Sequence, residues 1–251
     1  MRTVAVVLAG GSGRRFGGDQ PKQLRLLAGR TLVEHCVAAF DAAPGVDEVV
    51  VVVPAALTAG TAAELGHYGK LAMVIPGGSA RSDSTRQAIR ALRDPALGDP
   101  VADGWPADGW PADCSVLLHD AARPLVDQQI IADCVAALET WQAIGVVVPS
   151  TDTIVEVSGG VLGRVLPRES LARCQTPQGF RLPVIARAHE LAAADPGFGS
   201  ATDDCGVVRR YLPEVPIGAV TGSERNIKVT YPGDLDLAEL YLRQAEMARE
   251  S

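Results

Sequence analysis

The chain has 251 residues, 47% of them hydrophobic and 21% charged, which fits a globular protein and excludes a disordered one. That length suits a single domain, residues 1–251, able to bury a sizeable core. A net charge of −7 with no basic face argues against nucleic acid as a partner, and no apolar run approaches the roughly 18 residues of a membrane span.

An apolar run predicts a first strand at Val4–Leu8, which empties into LAGGSGRRFGGDQPKQ, Leu8 to Gln23. Glycine-rich backbone behind a strand offers unhindered N–H groups to an oxyanion, and Arg14, Arg15 and Lys22 add positive charge, so the loop is built for phosphates. Its spacing is not a dinucleotide fingerprint, because Gly11 and Gly13 are followed by Phe16, and no Gly-Lys-Ser/Thr makes it a P-loop. Leu32, Val33, Cys36, Val37 and Phe40 form the stripe of a helix over Thr31–Ala42. The strand Glu48–Val53 is apolar on both faces, as a central strand between two helix layers must be. A strand at Leu71–Ile75 leads into GGSARSDST, Gly77 to Thr85, which opens a helix over Ser79–Arg93 with Ser79 and Ser82 as capping residues.

Residues 94–113 carry ADGWP twice in tandem, and so much proline and glycine predicts a surface loop, with a minor binding role open for Trp105 and Trp110. A strand at Ser115–Leu118 then runs into HDAARP, His119 to Pro124, followed by a helix over Asp127–Thr140 and a strand at Gly145–Val148. Two β-rich runs around Ser-Gly-Gly, Asp152 to Leu166, read as an inserted hairpin arm over 151–167. Such a hairpin is marginal alone and needs a partner surface. Next come QTPQGF (Gln175 to Phe180), a helix over Leu182–Ala194, and TDD (Thr202 to Asp204), whose Asp203 and Asp204 suit a helix N-terminus. Strands at Pro216–Val220 and Ile227–Val229, the latter inside NIKVT (Asn226 to Thr230), precede a helix over Pro232–Ala248. This alternation of strand and helix predicts an α/β fold with a doubly wound, mainly parallel sheet, whose ligands sit outside the carboxyl ends of its strands.

Five scattered cysteines (Cys36, Cys114, Cys134, Cys174, Cys205) without a C-x-x-C pair suggest reduced, mostly buried thiols of a cytoplasmic protein rather than disulfides or a zinc site. The chain opens directly on a strand, so no signal peptide is expected. The four histidines lack metal-ligand spacing, and His119 is assigned no catalytic task.

Seven motifs in this order, LAGGSGRRFGG-x-x-PKQ, GGSARSDST, HDAARP, the DT at Asp152–Thr153, QTPQGF, TDD and NIKVT, resemble the polyol-phosphate cytidylyltransferase family almost end to end. That family holds the 2-C-methyl-D-erythritol 4-phosphate and ribitol-5-phosphate cytidylyltransferases. The resemblance implies a Rossmann-like nucleotidyltransferase fold and attack by a substrate phosphate oxygen on the α-phosphorus of CTP, with loss of pyrophosphate. No general base is needed, since a phosphate monoester is already a nucleophile. Arg15, Lys22 and Lys228 are then the catalytic cations, and Ala9, Gly10, Gly11, Gly13, Gly77, Gly78, Ser84 and Asp120 the CTP contacts. Asp120, Arg123, Thr153, Arg168 and Thr176 would bind the acceptor, with Arg123 orienting Asp120. Magnesium is implied, held mainly by the triphosphate with Asp120 as a further ligand, and the hairpin arm implies a homodimer in which Thr153 and Arg168 serve the neighbouring site.

QTPQGF and NIKVT look like the methylerythritol enzymes, whereas LAGG, DTIVEV and TDDC look like the ribitol enzymes; the reading taken is methylerythritol phosphate, with ribitol phosphate as the alternative. A molybdopterin-type nucleotidyltransferase shares LAGG-x-x-x-R-x-G but lacks PKQ, QTPQ and the arm. A silent nucleotide-binding regulator would have lost the phosphate cations, yet Arg15, Lys22 and Lys228 are all present.

Overall fold

In the computed structural model the valine-rich runs become strands β1 (Thr3–Leu8) and β4 (Glu48–Val53). A short ladder of β2 (Leu26–Leu27) and β3 (Arg30–Thr31) leads into α1 (Leu32–Asp41), where Thr31 Oγ1 caps the helix by accepting the Glu34 N–H at 3.2 Å. Then follow α2 (Thr58–Leu65), β5 (Leu71–Pro76), α3 (Arg81–Arg93), β6 (Ser115–Asp120), α4 (Gln128–Thr140) and β7 (Ala143–Pro149). The hairpin β8 (Val155–Ser158) and β9 (Val161–Val165) precedes β10 (Ala172–Arg181), α5 (Leu182–Ala194), α6 (Asp204–Tyr211), β11 (Ile217–Thr221) and α7 (Gly233–Glu250). The structure describes residues 1–10, 22–94, 110–111, 113–199 and 201–250. Gly11, Gly13, Arg14, Arg15, Trp105 and the Lys22 side chain lie outside the described residues.

Seven strands form one sheet in the order β11-β7-β10-β6-β1-β4-β5. All neighbours run parallel except β10, which is antiparallel to both β6 and β7. Helices cover both faces. Val4, Val6, Leu8, Val50 and Val52 pack toward Ile89 and Leu92 of α3, Ile185 of α5 and Val207 of α6. The alternate positions, Ala5, Val7, Val49, Val51 and Val53, pack toward Val33, Val37 and Phe40 of α1 and Ile130, Ile131 and Leu138 of α4. Burial of both faces is why these runs lack polar alternation. The doubly wound, mainly parallel sheet is the one the sequence predicts.

Four local readings change. Ile227–Val229 is not a strand: Val229 N–H bonds the Ala122 carbonyl at 2.8 Å, so the segment crosses the sheet edge as a strap. β10 was hidden by its own residues, because Pro177 and Gly179 are poor strand formers, yet a Cβ on Gly179 would stand 2.8 Å from Ile144 Cγ1. α2 gives little signal since only Thr61 and Leu65 are buried on it. Finally, Trp110 near the end of the tandem ADGWP stretch is not on the surface, although Pro111 beside it is exposed. Trp110 is 5% exposed, sits in the core against α3 and α5, and stacks under the Arg2 guanidinium 4.7 Å from its centroid.

Among the described residues the hairpin strands pair with each other alone, turning through Gly159 and Gly160 at φ +57° and +79°. Its apolar residues face outward, with Val161 69% and Leu162 71% exposed. All five cysteines are free, and only Cys174 is exposed.

The anchoring of Trp110 makes a measurable claim. Trp110→Ala is expected to lower the free energy of unfolding by about 3–5 kcal/mol, the cost of emptying an aromatic core position. Urea denaturation reads this directly, and an unchanged midpoint would place the ring outside the core.

Candidate active site

The parallel strands end at one edge, and their first post-strand residues are stitched together there. Ala9 N–H bonds Val52 O at 2.7 Å, Gly77 N–H bonds Val53 O at 2.7 Å, and Ala121 N–H bonds Leu8 O at 3.0 Å. Ala9, Gly10, Gly77, Gly78 and Asp120 therefore share one edge. Gly10 and Gly77 are required by close approach, since a Cβ on either would lie 2.8 Å from Ser84 Oγ.

Ser84 itself is buried, accepting the Gly78 N–H at 3.2 Å and donating to Ala80 O at 3.2 Å. Its hydroxyl thereby braces the Gly77–Gly78 turn at the strand-end edge. Ser79 and Ser82 do not cap α3. The cap residue is Ala80, whose N–H goes to the Asp83 carboxylate at 3.1 Å, and Ser79 Oγ donates to the same carboxylate at 2.6 Å.

Asp120 ends β6, is 9% exposed, and stands between two cations. Arg81 Nε donates to its Oδ1 at 2.9 Å and Lys228 Nζ to its Oδ2 at 2.7 Å. Burial alone would raise the Asp120 pKa, but the Arg81 and Lys228 charges and hydrogen bonds outweigh it and hold the carboxyl well below the usual carboxylate range. Arg81 also pairs with Asp204, which in turn accepts His189 Nε2 at 3.0 Å. Burial raises and Arg81 lowers the Asp204 pKa, and the net shift is downward.

Behind Asp120 the HDAARP turn is held by a relay of hydrogen bonds. Asp120 N–H donates to Thr176 Oγ1 at 3.1 Å, whose proton then goes to His119 Nδ1 at 3.0 Å. That leaves His119 Nε2–H to donate to Arg123 O at 3.0 Å. Burial pushes His119 down to about 4, so the ring is neutral near pH 7. Thr176 is buried, and through these two bonds its hydroxyl supports the Asp120 backbone.

Arg123 is not the arginine that orients Asp120. Its guanidinium bonds the carbonyls of Asn226 at 2.7 Å and Cys174 at 3.2 Å, clamping the NIKVT strap to β10, while Arg81 is the arginine on Asp120. Buried Asn226 completes the clamp through Thr176 O at 2.9 Å and Gln175 Oε1 at 3.2 Å, so Lys228, two residues on, arrives at Asp120. Gln178 ties QTPQGF to TDD by donating to Asp203 at 2.9 Å and accepting the Asp204 N–H at 3.0 Å. Asp203 is the expected helix cap, whereas Asp204 is an ion-pair partner that its cap-like context concealed.

Thr153 and Arg168 stay apart from this cluster, exposed at the base of the hairpin, where Arg168 Nη1 bonds Thr151 O at 3.3 Å. Arg81, Asp204 and His189 are the residues the sequence reading missed. Arg81 stands inside GGSARSDST, and its signal was a lone basic residue at a helix start beside a strand-end carboxylate.

Glycine backbone, one buried carboxylate and an exposed lysine at the strand-end edge of a mainly parallel sheet define an α/β nucleotidyltransferase-like protein. The family model described as IspD, 2-C-methyl-D-erythritol 4-phosphate cytidylyltransferase, matches residues 3–244. The enzyme of that name from Thermobifida fusca (strain YX) is 50% identical over 249 residues, covering 96% of this chain and 94% of that protein. The crystal structure of the enzyme of that name from Thermus thermophilus superposes with a TM-score of 0.71 at 29% identity, covering 95% of this chain and 98% of that one. A bifunctional ribulose 5-phosphate reductase/CDP-ribitol pyrophosphorylase of Haemophilus influenzae is 35% identical over 242 residues, but this chain spans only 48% of its length. The chain belongs to the 2-C-methyl-D-erythritol 4-phosphate cytidylyltransferase family.

The buried histidine gives the site a pH signature. Its folded pKa of about 4 lies below the ordinary 6.5, so between those values the unfolded chain binds more protons and stability falls with acid. On the order of 3 kcal/mol of His119's contribution should be lost across that window. Wild type and His119→Gln should therefore converge in unfolding free energy as pH drops from 6.5 to about 4. Parallel pH profiles would contradict the assignment.

Proposed function

We propose that this protein transfers CMP from CTP to 2-C-methyl-D-erythritol 4-phosphate. An acceptor phosphate oxygen bonds to the α-phosphorus as the bond to the β-phosphate oxygen breaks, and pyrophosphate leaves with that electron pair. The reading rests on end-to-end likeness to the Thermobifida fusca enzyme, 50% identical over 249 residues. The ribitol reading has weaker support, a 35% identical relative twice as long.

Both reactants are anions, so the protein's work is charge compensation and in-line positioning. Lys228, 42% exposed and steered by Asp120, is the described cation free to turn toward an α-phosphate oxygen. Arg15 and Lys22 would neutralise the β- and γ-phosphates, over a cradle of Ala9, Gly10, Gly77 and Gly78 backbone. Asp120 would receive hydroxyls of the nucleotide or acceptor once Lys228 turns away.

Among the described residues no group of three or more His, Cys, Asp or Glu side chains is placed to hold a metal. Magnesium would enter on the triphosphate with Asp120 as a further ligand, and the chemistry it would supply there is neutralisation of phosphate charge. The exposed hairpin is the dimer arm, and Thr153 and Arg168 at its base would reach a second subunit's acceptor phosphate. Arg offers the bidentate fork that a phosphate takes best.

Pyrophosphate release measured with CTP, ATP and GTP against both polyol phosphates should show turnover only with CTP and methylerythritol phosphate. Equal rates with ribitol phosphate would move the reading to the alternative, and equal rates with ATP would remove it. Lys228→Ala is expected to cut kcat by roughly 10²–10³-fold, the scale of one lost transition-state contact. Mixing Arg168→Ala with Lys22→Ala subunits should restore activity, since one site of each mixed dimer then carries neither lesion. No recovery with freely exchanging subunits would put Arg168 in its own chain's site.

A further inference from the structure

The Asp120 pair continues inward as a chain of alternating charge, Lys228, Asp120, Arg81 and Asp204, ending on His189. We infer that Asp204 and His189 are positioning residues for the transfer reaction, acting through Arg81 to hold the Asp120 carboxylate opposite Lys228. The inference rests on the cytidylyl-transfer reading above.

The argument is geometric. A guanidinium beside an arriving triphosphate, with one partner and several free rotors, would be drawn onto phosphate oxygens. Arg81 is held at two points instead, by Asp120 at Nε and by Asp204 at Nη1. Asp204 cannot follow it outward, because the residue is 1% exposed and fixed on three sides. His189, 2% exposed on α5, donates to its Oδ1 at 3.0 Å, Gln178 of β10 accepts its N–H at 3.0 Å, and α6 begins with it. When Lys228 turns to a phosphate oxygen, Asp120 thus keeps one fixed cationic partner and one fixed direction. No such need explains burying an aspartate and a histidine under the edge if they served only to start an eight-residue helix, for which Asp203 already supplies the cap.

The test is a double-mutant cycle on kcat, with KM for CTP recorded and rates normalised to folded protein. Asp204→Asn should lower kcat about 10- to 100-fold, the cost of misplacing a reacting arrangement, with KM for CTP changed little. Asp120→Asn should also be slow, and the double variant no slower than Asp120→Asn alone, because Asp204 acts through Asp120. His189→Leu should resemble Asp204→Asn, and His189→Gln, whose amide donates the same hydrogen bond, should recover most of the loss. Glu190→Gln, on the adjacent α5 position, serves as the control and should be as fast as wild type. If Asp204→Asn does not accumulate, the cycle is run with His189→Leu and the same outcomes apply. Multiplying losses in the double variant, or normal kcat in Asp204→Asn, would overturn the inference while leaving the activity in place. A wild type inert toward CTP would overturn the functional reading and this inference together.

Discussion

A carboxylate taken out of water at the end of a central strand is tolerable only if its charge is met by cationic, hydrogen-bonding partners. Asp120 is in that position, and Arg81 and Lys228 meet it from opposite sides. Much of the site can be understood as what is needed to deliver those two cations. Arg81 comes from the start of α3, which requires the tight Gly77–Gly78 turn and the Ser84 hydroxyl that braces it. Lys228 comes from a strap that no ladder holds, and so requires Arg123, Asn226 and the β10 backbone to clamp it.

The antiparallel strand β10 is the piece that makes this possible. Inserted between β6 and β7, it brings Thr176 against the His119–Asp120 backbone, Gln175 against the strap, and Gln178 against the start of α6. One strand therefore fixes both the carboxylate and the segments that carry its partners. The hydroxyls and amides on it are buried and mutually satisfied, which makes the edge stiff before any ligand arrives. A preorganised edge of this kind suits a reaction between two anions, where little can be gained by rearranging during the chemical step.

Most of the scaffold was legible because it follows from burial. Strands covered on both faces read as unbroken valine runs, and helices covered on one face show a stripe such as Leu32, Val33, Cys36, Val37 and Phe40. The glycine backbone, Asp120 and Lys228 were legible as motifs. What sequence could not show was how buried polar groups choose partners across the fold. Ser84 and Thr176 carry hydroxyls whose protein partners leave no local sign, and only packing reveals their bonds to Gly78, Ala80, Asp120 and His119. Arg81 and Asp204 are 123 residues apart, so their pairing leaves no local trace. Trp110 reads as loop because its neighbours are proline and glycine, yet its indole packs into the core against α3 and α5.

The central claim, that Asp120 is kept ionised between the Arg81 and Lys228 charges, is tested most directly by its own titration. Carbon-13 NMR of the Asp120 side-chain carboxyl, followed from pH 7 to about pH 4, where an unperturbed aspartate is half protonated, reads the charge at the atom concerned. The account predicts a flat signal across that range in the wild type and a titrating one in Lys228→Ala. A wild-type signal that is half shifted at about pH 4 or above would show an ordinary carboxyl, and the arrangement described around it would no longer stand.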